Sequence, residues 1–255
     1  MSQQKFEFTK KFGIQLAPTL SEHWYAVSKL NKKGGEKKLG YYPSATTILN
    51  AYPQAAHLNK WIGENGWNES QRILKEAGLR GTKVHDAIEQ LLEGDELWNH
   101  HYSLDEWHRI DAFVRWFQAT KPEVLAVEVA LFSPKHGYSG RVDCVCIIDG
   151  KVTVIDWKTS GAMYPHFPLQ FAAYAQAIEE TTSLKVDQTA GLQLGTKSKA
   201  GYKFEVHEGW RMDFEMFKTV KQIWEYDRFI SKKTKKMEAP VLVLPDKLSI
   251  LNELQ

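Results

Sequence analysis

Gly140-Arg-Val-Asp143-Cys-Val-Cys-Ile-Ile-Asp149-Gly150-Lys-Val-Thr-Val-Ile-Asp156-Trp-Lys158 is the stretch whose reading decides the fold. Two runs rich in β-branched residues flank Asp149-Gly150, the strongest short-range signal for a two-residue hairpin turn. Pairing Ile148 with Lys151 and counting outward sets Asp143 opposite Asp156. Alternation then places Asp143, Val145 and Ile147 on one face with Val152, Val154, Asp156 and Lys158, while Cys144, Cys146, Ile155 and Trp157 point to the other. Like charges directly opposed across a hairpin are destabilising, so two carboxylates at this spacing require a compensating group. A divalent cation with oxygen ligands meets that need and could add the Trp157 carbonyl. The alternative is an ion-paired cluster in which Lys158 or Arg141 offsets the aspartates.

Outward from the hairpin, an apolar run at 124 to 132 precedes it as a further strand, interrupted by Glu128. That glutamate is either a solvated edge residue or an auxiliary acid. A helix opening near Pro168 and running to about Glu180 follows, then strands at about 188 to 195 and 201 to 207, then a helix that Asp213 could cap. Upstream, residues 23 to 42 predict a hairpin with a Lys-rich loop from Lys29 to Lys38, and 44 to 120 are mostly helical. In that stretch Val84, Ile88 and Leu91 form an apolar stripe, and Ser103 with Glu106 forms a capping box. The order of helices, three strands, helix, two strands, helix predicts an α/β fold with a central mixed sheet flanked by helices, preceded by an N-terminal β-hairpin and a helical segment.

Composition limits the function. The 255 residues carry 33 Lys plus Arg against 31 Asp plus Glu, a formal charge of +2, which excludes a polybasic tail protein. With 43% hydrophobic residues the chain has the material for a packed core in one large domain, or a domain with an appendage. No apolar run is long enough to span a bilayer, and the sequence from Met1 to Thr9 has the pattern of neither a secretory signal nor a transit peptide. The expectation is a cytoplasmic protein. The two cysteines, Cys144 and Cys146, share one strand, which predicts small buried thiols in a reducing compartment. Local basic clusters at Lys29 to Lys38 and at Arg228, Lys232, Lys233, Lys235 and Lys236 could track phosphates, though solvated surfaces are the commoner explanation. Trp61, Trp67 and Trp98 could stack on unpaired bases, though core packing is commoner for such rings.

Gly140-Arg-Val-Asp143 followed by Asp156-Trp-Lys158 resembles the metal-binding and lysine motifs of the PD-(D/E)XK nucleases. Gly81-Thr-Lys-Val-His85 and the pair Gln170 and Tyr174 resemble the Gly-x-x-x-His and Gln-x-x-x-Tyr motifs of their RecB-type exonuclease branch. The segment Tyr42-Pro-Ser-Ala-Thr-Thr-Ile-Leu49 is similar to the lead-in of mitochondrial genome maintenance exonucleases and related phage proteins. The resemblance implies a restriction-endonuclease-like core over 121 to 255 with the C-terminal helix. A helical segment carrying the His motif would occupy 51 to 120, and a hairpin and lead-in 1 to 50. It implies a Mg²⁺- or Mn²⁺-dependent DNA exonuclease, acting on single strands or ends in replication, recombination or repair and leaving 5′-phosphate and 3′-hydroxyl products. His85, Asp143, Asp156 and the Trp157 carbonyl would hold the metal, with Asp143, Asp156 and Lys158 catalytic. Gln170 and Tyr174 would contact the nucleic acid, and Thr159 and Ser160 could donate hydroxyls to a phosphate or simply cap the strand end. Two cysteines cannot build the iron-sulfur cluster of some relatives, and DNA is the expected partner. The origin implied is bacterial or phage. A structure-specific or restriction-like endonuclease uses the same chemistry, and an inactive nucleic-acid-binding module is the alternative from another class.

Overall fold

The computed structural model describes residues 11–17, 22–31, 35–53 and 56–230. A five-stranded sheet in the order β4-β5-β6-β7-β8 forms its centre: β4 Glu123–Ser133, β5 Tyr138–Ile148, β6 Lys151–Lys158, β7 Gln188–Leu194 and β8 Tyr202–His207. The β6–β7 pair is parallel and the others antiparallel, so the sheet is mixed as expected. Parallel strands need a crossover, and α5 (Phe167–Thr181) supplies it, with Pro168 in its first turn.

Each face of the sheet is covered by a different set of helices. On one, Val145, Val154, Leu169, Ala173, Ile178 and Phe217 form a buried cluster under α5, α6 (Trp210–Ile230) and the short α1 (Ala45–Leu49). On the other, Cys144, Cys146, Ile155 and Trp157 pack beneath α3 (Trp67–Glu93) and α4 (Leu104–Thr120). The stripe of α3 is in that cluster: Val84 and Ile88 are fully buried and Leu91 packs against it. Ser103 and Glu106 form the expected capping box at the start of α4. Gly94, at φ 98°, ends α3 in a left-handed turn. Helix α2 (Ala56–Asn65) packs against α3.

Three features differ from expectation. The N-terminal unit is a three-stranded antiparallel sheet, in which β1 (Phe12–Ala17) joins the hairpin of β2 (Trp24–Leu30) and β3 (Glu36–Pro43). The short β1 carries a glycine, which mutes its strand signal. A Cβ on Gly13 would stand 2.7 Å from the Ser28 hydroxyl and the Glu36 carboxylate, so the gap in the pattern is needed for close pairing. Lys29, Lys37 and Lys38 lie on β2 and β3 rather than in a loop, while 32–34 fall outside the described residues. Asp213 is inside the first turn of α6 and not its cap, because the helix begins at Trp210. Of the C-terminal basic cluster, Lys232, Lys233, Lys235 and Lys236 also fall outside the described residues.

Candidate active site

The Asp149-Gly150 turn is present, with φ values of 50° and 75°, and it fixes the register that the sequence implied: Ile148↔Lys151, Ile147↔Val152, Cys146↔Thr153, Val145↔Val154 and Cys144↔Ile155. The ladder stops there, one pair short of the two aspartates. Residues three apart on a regular strand face opposite ways, yet Val142 and Val145 lie in the same cluster, so the pleat is interrupted at Asp143. Across from it on β4, Glu128 adopts a left-handed φ of 50°, between the pairs Val127↔Cys144 and Val129↔Val142. Both strands depart from regular geometry at one level. There Asp143 Oδ2 accepts the Trp157 N–H at 2.6 Å in place of a ladder bond.

This distortion gathers charge. His85 Nδ1 stands 3.5 Å from Asp143 Oδ2, and ligand atoms of His85, Glu128 and Asp143 all lie within 4.8 Å of one another. Helix α3 reaches the strand end because residue 81 is glycine: a Cβ there would meet the Thr159 hydroxyl at 3.0 Å. His85, one helical turn on, is thereby carried to the aspartate. Asp156 is 2% exposed. Its Oδ1 accepts from Gln170 Nε2 at 3.0 Å. Its Oδ2 is shielded from solvent and pairs with the Lys158 ammonium at 2.5 Å. Lys158 donates to Gln170 Oε1 at 3.0 Å and lies over the Phe167 ring at 4.4 Å.

The electrostatics report an excess of negative charge. Burial and the neighbouring Asp143 carboxylate raise Asp156 to about 6 despite Lys158. The same two causes raise Glu128 to about 7 against the opposing Arg141. Burial pushes His85 down, but Asp143, by charge and hydrogen bonding, outweighs it and lifts the imidazole to about 9. All three shifts have the sign expected of a site short of positive charge. A hard divalent cation suits three carboxylates and one imidazole, and the gathering of His85, Glu128 and Asp143 ligand atoms within 4.8 Å of one another is an observation in favour of that fit.

The expected site residues come together around a cavity of about 260 Å³ lined by His85, Asp143, Asp156, Trp157, Lys158, Thr159, Ser160, Gln170 and Tyr174. Their attachments differ from simple expectation. Gln170 and Tyr174 are buried, and Gln170 Nε2 is also 2.9 Å from the Tyr174 hydroxyl, so the amide ties Asp156, Lys158 and Tyr174 into one network. The Tyr174 ring lies against Gly140, where a Cβ would come within 2.5 Å, which explains the glycine that opens the Gly-Arg-Val-Asp motif. Ser160 Oγ donates to the Ala162 carbonyl at 2.8 Å, a turn contact. The Trp157 indole is buried on the far face against Phe113 and Trp116.

Three neighbours add to the expected site residues. Glu128 joins the His85 and Asp143 cluster, and its signal was the charge interrupting an apolar strand. Arg141 pairs with the Glu128 carboxylate at 2.7 Å. Arg109 Nη1 donates to the carbonyls of Thr159 and Leu194, both at 2.8 Å, and pins the segment after Lys158. No spacing or motif marks Arg109, because its role depends on two distant backbone carbonyls meeting. Trp67 and Trp98 are largely exposed, contrary to the commoner core expectation, and Trp61 is half-buried beside a second cavity.

Residues 63–220 match the profile of the PD-(D/E)XK nuclease superfamily, more than half of the chain, and the chain belongs to that superfamily. It is 28% identical over 169 residues to mitochondrial genome maintenance exonuclease 1 of Homo sapiens. It is 30% identical over 172 residues to the Xenopus tropicalis protein of the same name. Those matches cover 59% and 60% of this chain, and 47% and 48% of the relatives, so the chain spans about half the length of the curated relatives it matches. Among solved structures, LHK-Exo from Laribacter hongkongensis, in complex with dAMP, is similar at 13% identity and a TM-score of 0.38. That similarity covers 75% of this chain and 94% of that one, and it is too low to bear on function. The names of the curated relatives are mitochondrial and give the expected bacterial or phage origin no support. Among the described residues no helix is long and apolar enough to cross a membrane.

Proposed function

We propose that the chain is a metal-dependent DNA exonuclease that takes single-stranded DNA or DNA ends in replication, recombination or repair. One observation carries the reading: two buried aspartates and a half-buried lysine converge where the sheet's pleat breaks, with a histidine and a third carboxylate beside them. Asp143, Asp156, His85 and the Trp157 carbonyl would hold Mg²⁺ or Mn²⁺, and Glu128 is placed to join them. When bound, such an ion polarises the scissile phosphate and lowers the pKa of its water.

The chain's own groups do the rest. Lys158, an ammonium at the cavity floor, offsets charge developing on the phosphoryl oxygens. Gln170 holds Lys158 and Asp156 in register with each other, which makes it a positioning residue together with Tyr174. Arg109 holds the Thr159 carbonyl and so fixes the exit of the lysine strand, leaving the Thr159 hydroxyl near the cavity for a phosphate oxygen.

The experiment is incubation with linear and covalently closed circular DNA, each single- and double-stranded, in chelator, Mg²⁺ or Mn²⁺. Degradation of linear single strands in metal alone is the expected result. Rapid nicking of closed circles would establish the endonuclease reading instead, and cleavage in chelator would overturn metal dependence.

A further inference from the structure

Beyond Lys158 the chain runs through Tyr164-Pro-His166 into α5. There it faces the end of α1 and the sides of α2 and α3, and between them lies a cavity of about 700 Å³. Aromatic and aliphatic side chains line it, chiefly Tyr52, Trp61, Tyr164, His166, Leu49 and Ile73, and no carboxylate or ammonium is among the described lining groups. The Tyr164 and His166 rings are parallel within 3° at 5.9 Å, and Tyr52 lies 5.8 Å from His166. His166 in turn contacts Phe167 at 4.7 Å, and Phe167 is the ring beneath the Lys158 ammonium at 4.4 Å. A continuous series of rings therefore links the cavity to the reaction site. Burial and the Lys158 charge hold the His166 imidazole below its ordinary value.

We propose that this cavity receives an unstacked nucleobase of the DNA strand whose phosphate lies at Lys158, a stacking subsite one or two nucleotides from the cleaved bond. The assignment rests on the reading of the site as a DNA nuclease. Its aromatic lining suits the π-face of any base and offers a phosphate no charged side chain among the described residues, and the volume falls in the range of small-ligand pockets. A base held in a duplex keeps its faces stacked on neighbours and cannot enter, so the subsite selects single strands or frayed ends. Continuity with Phe167 and the uncharged lining favour a base of the same strand over a segment of a second copy.

The test is equilibrium binding in chelator of single-stranded oligonucleotides carrying one abasic residue at successive positions, by the wild type, Trp61→Ala and Tyr164→Ala. Circular dichroism and melting of each variant accompany the titrations. An abasic residue at one position or two adjacent ones is expected to weaken wild-type binding about 5- to 100-fold, with little effect elsewhere. Folded Trp61→Ala or Tyr164→Ala should bind the intact strand correspondingly weakly and lose the positional dependence; if neither folds, the wild-type scan decides. A flat scan by a wild type that binds and degrades linear single strands overturns the subsite and leaves the nuclease reading intact. A wild-type positional scan retained by Trp61→Ala, with a change in that variant's oligomeric state, assigns the cavity to a second copy and also overturns it. A wild type that neither binds nor cleaves single strands removes the nuclease reading, and the subsite with it.

Discussion

The two ends of the β5–β6 hairpin obey different rules. Near the turn, five successive pairs keep register, side chains alternate strictly, and Cys144, Cys146 and Ile155 are apolar and buried. At the far end the ladder stops, the pleat breaks at Asp143, Glu128 opposite takes a left-handed conformation, and three carboxylates crowd beside an imidazole and an ammonium. Regular pairing and apolar burial supply stability at the first end. They permit an arrangement at the second that is unfavourable in itself: carboxylates crowded together and acids whose ionisation is resisted. The difference separates what holds the strands from what they hold.

Changes at each end should therefore fall on different observables. Ile155, fully buried and paired with Cys144, belongs to the regular end. Ile155→Ala should cost about 2–5 kcal/mol in urea unfolding, with the per-molecule rate of the remaining folded protein near wild type. A rate falling in step with a small stability loss would mean that the ends are not separable. Lys158→Ala should do the reverse. Its rate should drop roughly 10²- to 10³-fold at saturating DNA, about 2.7–4 kcal/mol on the barrier, with DNA affinity in chelator little changed. Since Lys158 is also the counter-charge of buried Asp156, melting is measured alongside, and an activity loss explained wholly by unfolding would count against a chemical role.

This contrast also marks how far the sequence could be read. The regular end was legible because Asp149-Gly150 sets the turn and the period-two pattern does the rest; the register, the two faces and the position of α5 all follow. Ser103 and Glu106 marked the start of α4 by the same local logic. At the distorted end, identities were legible and geometry was not. Asp143, Asp156 and Lys158 were placed on one face, yet the count outward from the turn assumed a continuous ladder, while the Asp143 carboxylate actually takes the Trp157 N–H. Glu128 stayed ambiguous because a lone acid in an apolar strand does not reveal a left-handed backbone. Arg109 left no signal, since its two carbonyl partners lie 50 and 85 residues away.

A gentler perturbation of the regular end is Gly150→Ala. Gly150 has a φ of 75° and an added Cβ would meet nothing within 4 Å, so the substitution isolates the backbone term. It should lower stability by about 1–2 kcal/mol, the cost of holding a Cβ-bearing residue in the left-handed region. Metal-induced stabilisation should be unchanged, because the turn lies at the opposite end of the strands from the carboxylates. Thermal scans with and without Mn²⁺ check both statements, and a lost metal response would show that register at the turn controls the site.

The smallest expected effect is also the one most specific to the distorted end. Glu128 faces Asp143 across β4 and β5, is half-buried, and is held near 7 first by that burial and then by the Asp143 charge. Opposed like charges on adjacent strands cost about 0.2–1 kcal/mol, so Glu128→Gln should make the metal-free protein more stable by about that amount at a pH where the acid is ionised. Loss of the ion pair with half-exposed Arg141 works against the gain, but an exposed partner contributes little. In Mn²⁺ the order should reverse. A ligand that binds only the folded state stabilises it by about 2.7 kcal/mol at a concentration 100 times its dissociation constant, and a variant lacking one carboxylate would reach that increment only at higher Mn²⁺. Melting curves of both proteins across a Mn²⁺ series read the two effects together. Equal Mn²⁺ dependence would place Glu128 outside the cation's ligands, and a destabilised metal-free variant would mean that the Arg141 pair outweighs the repulsion from Asp143.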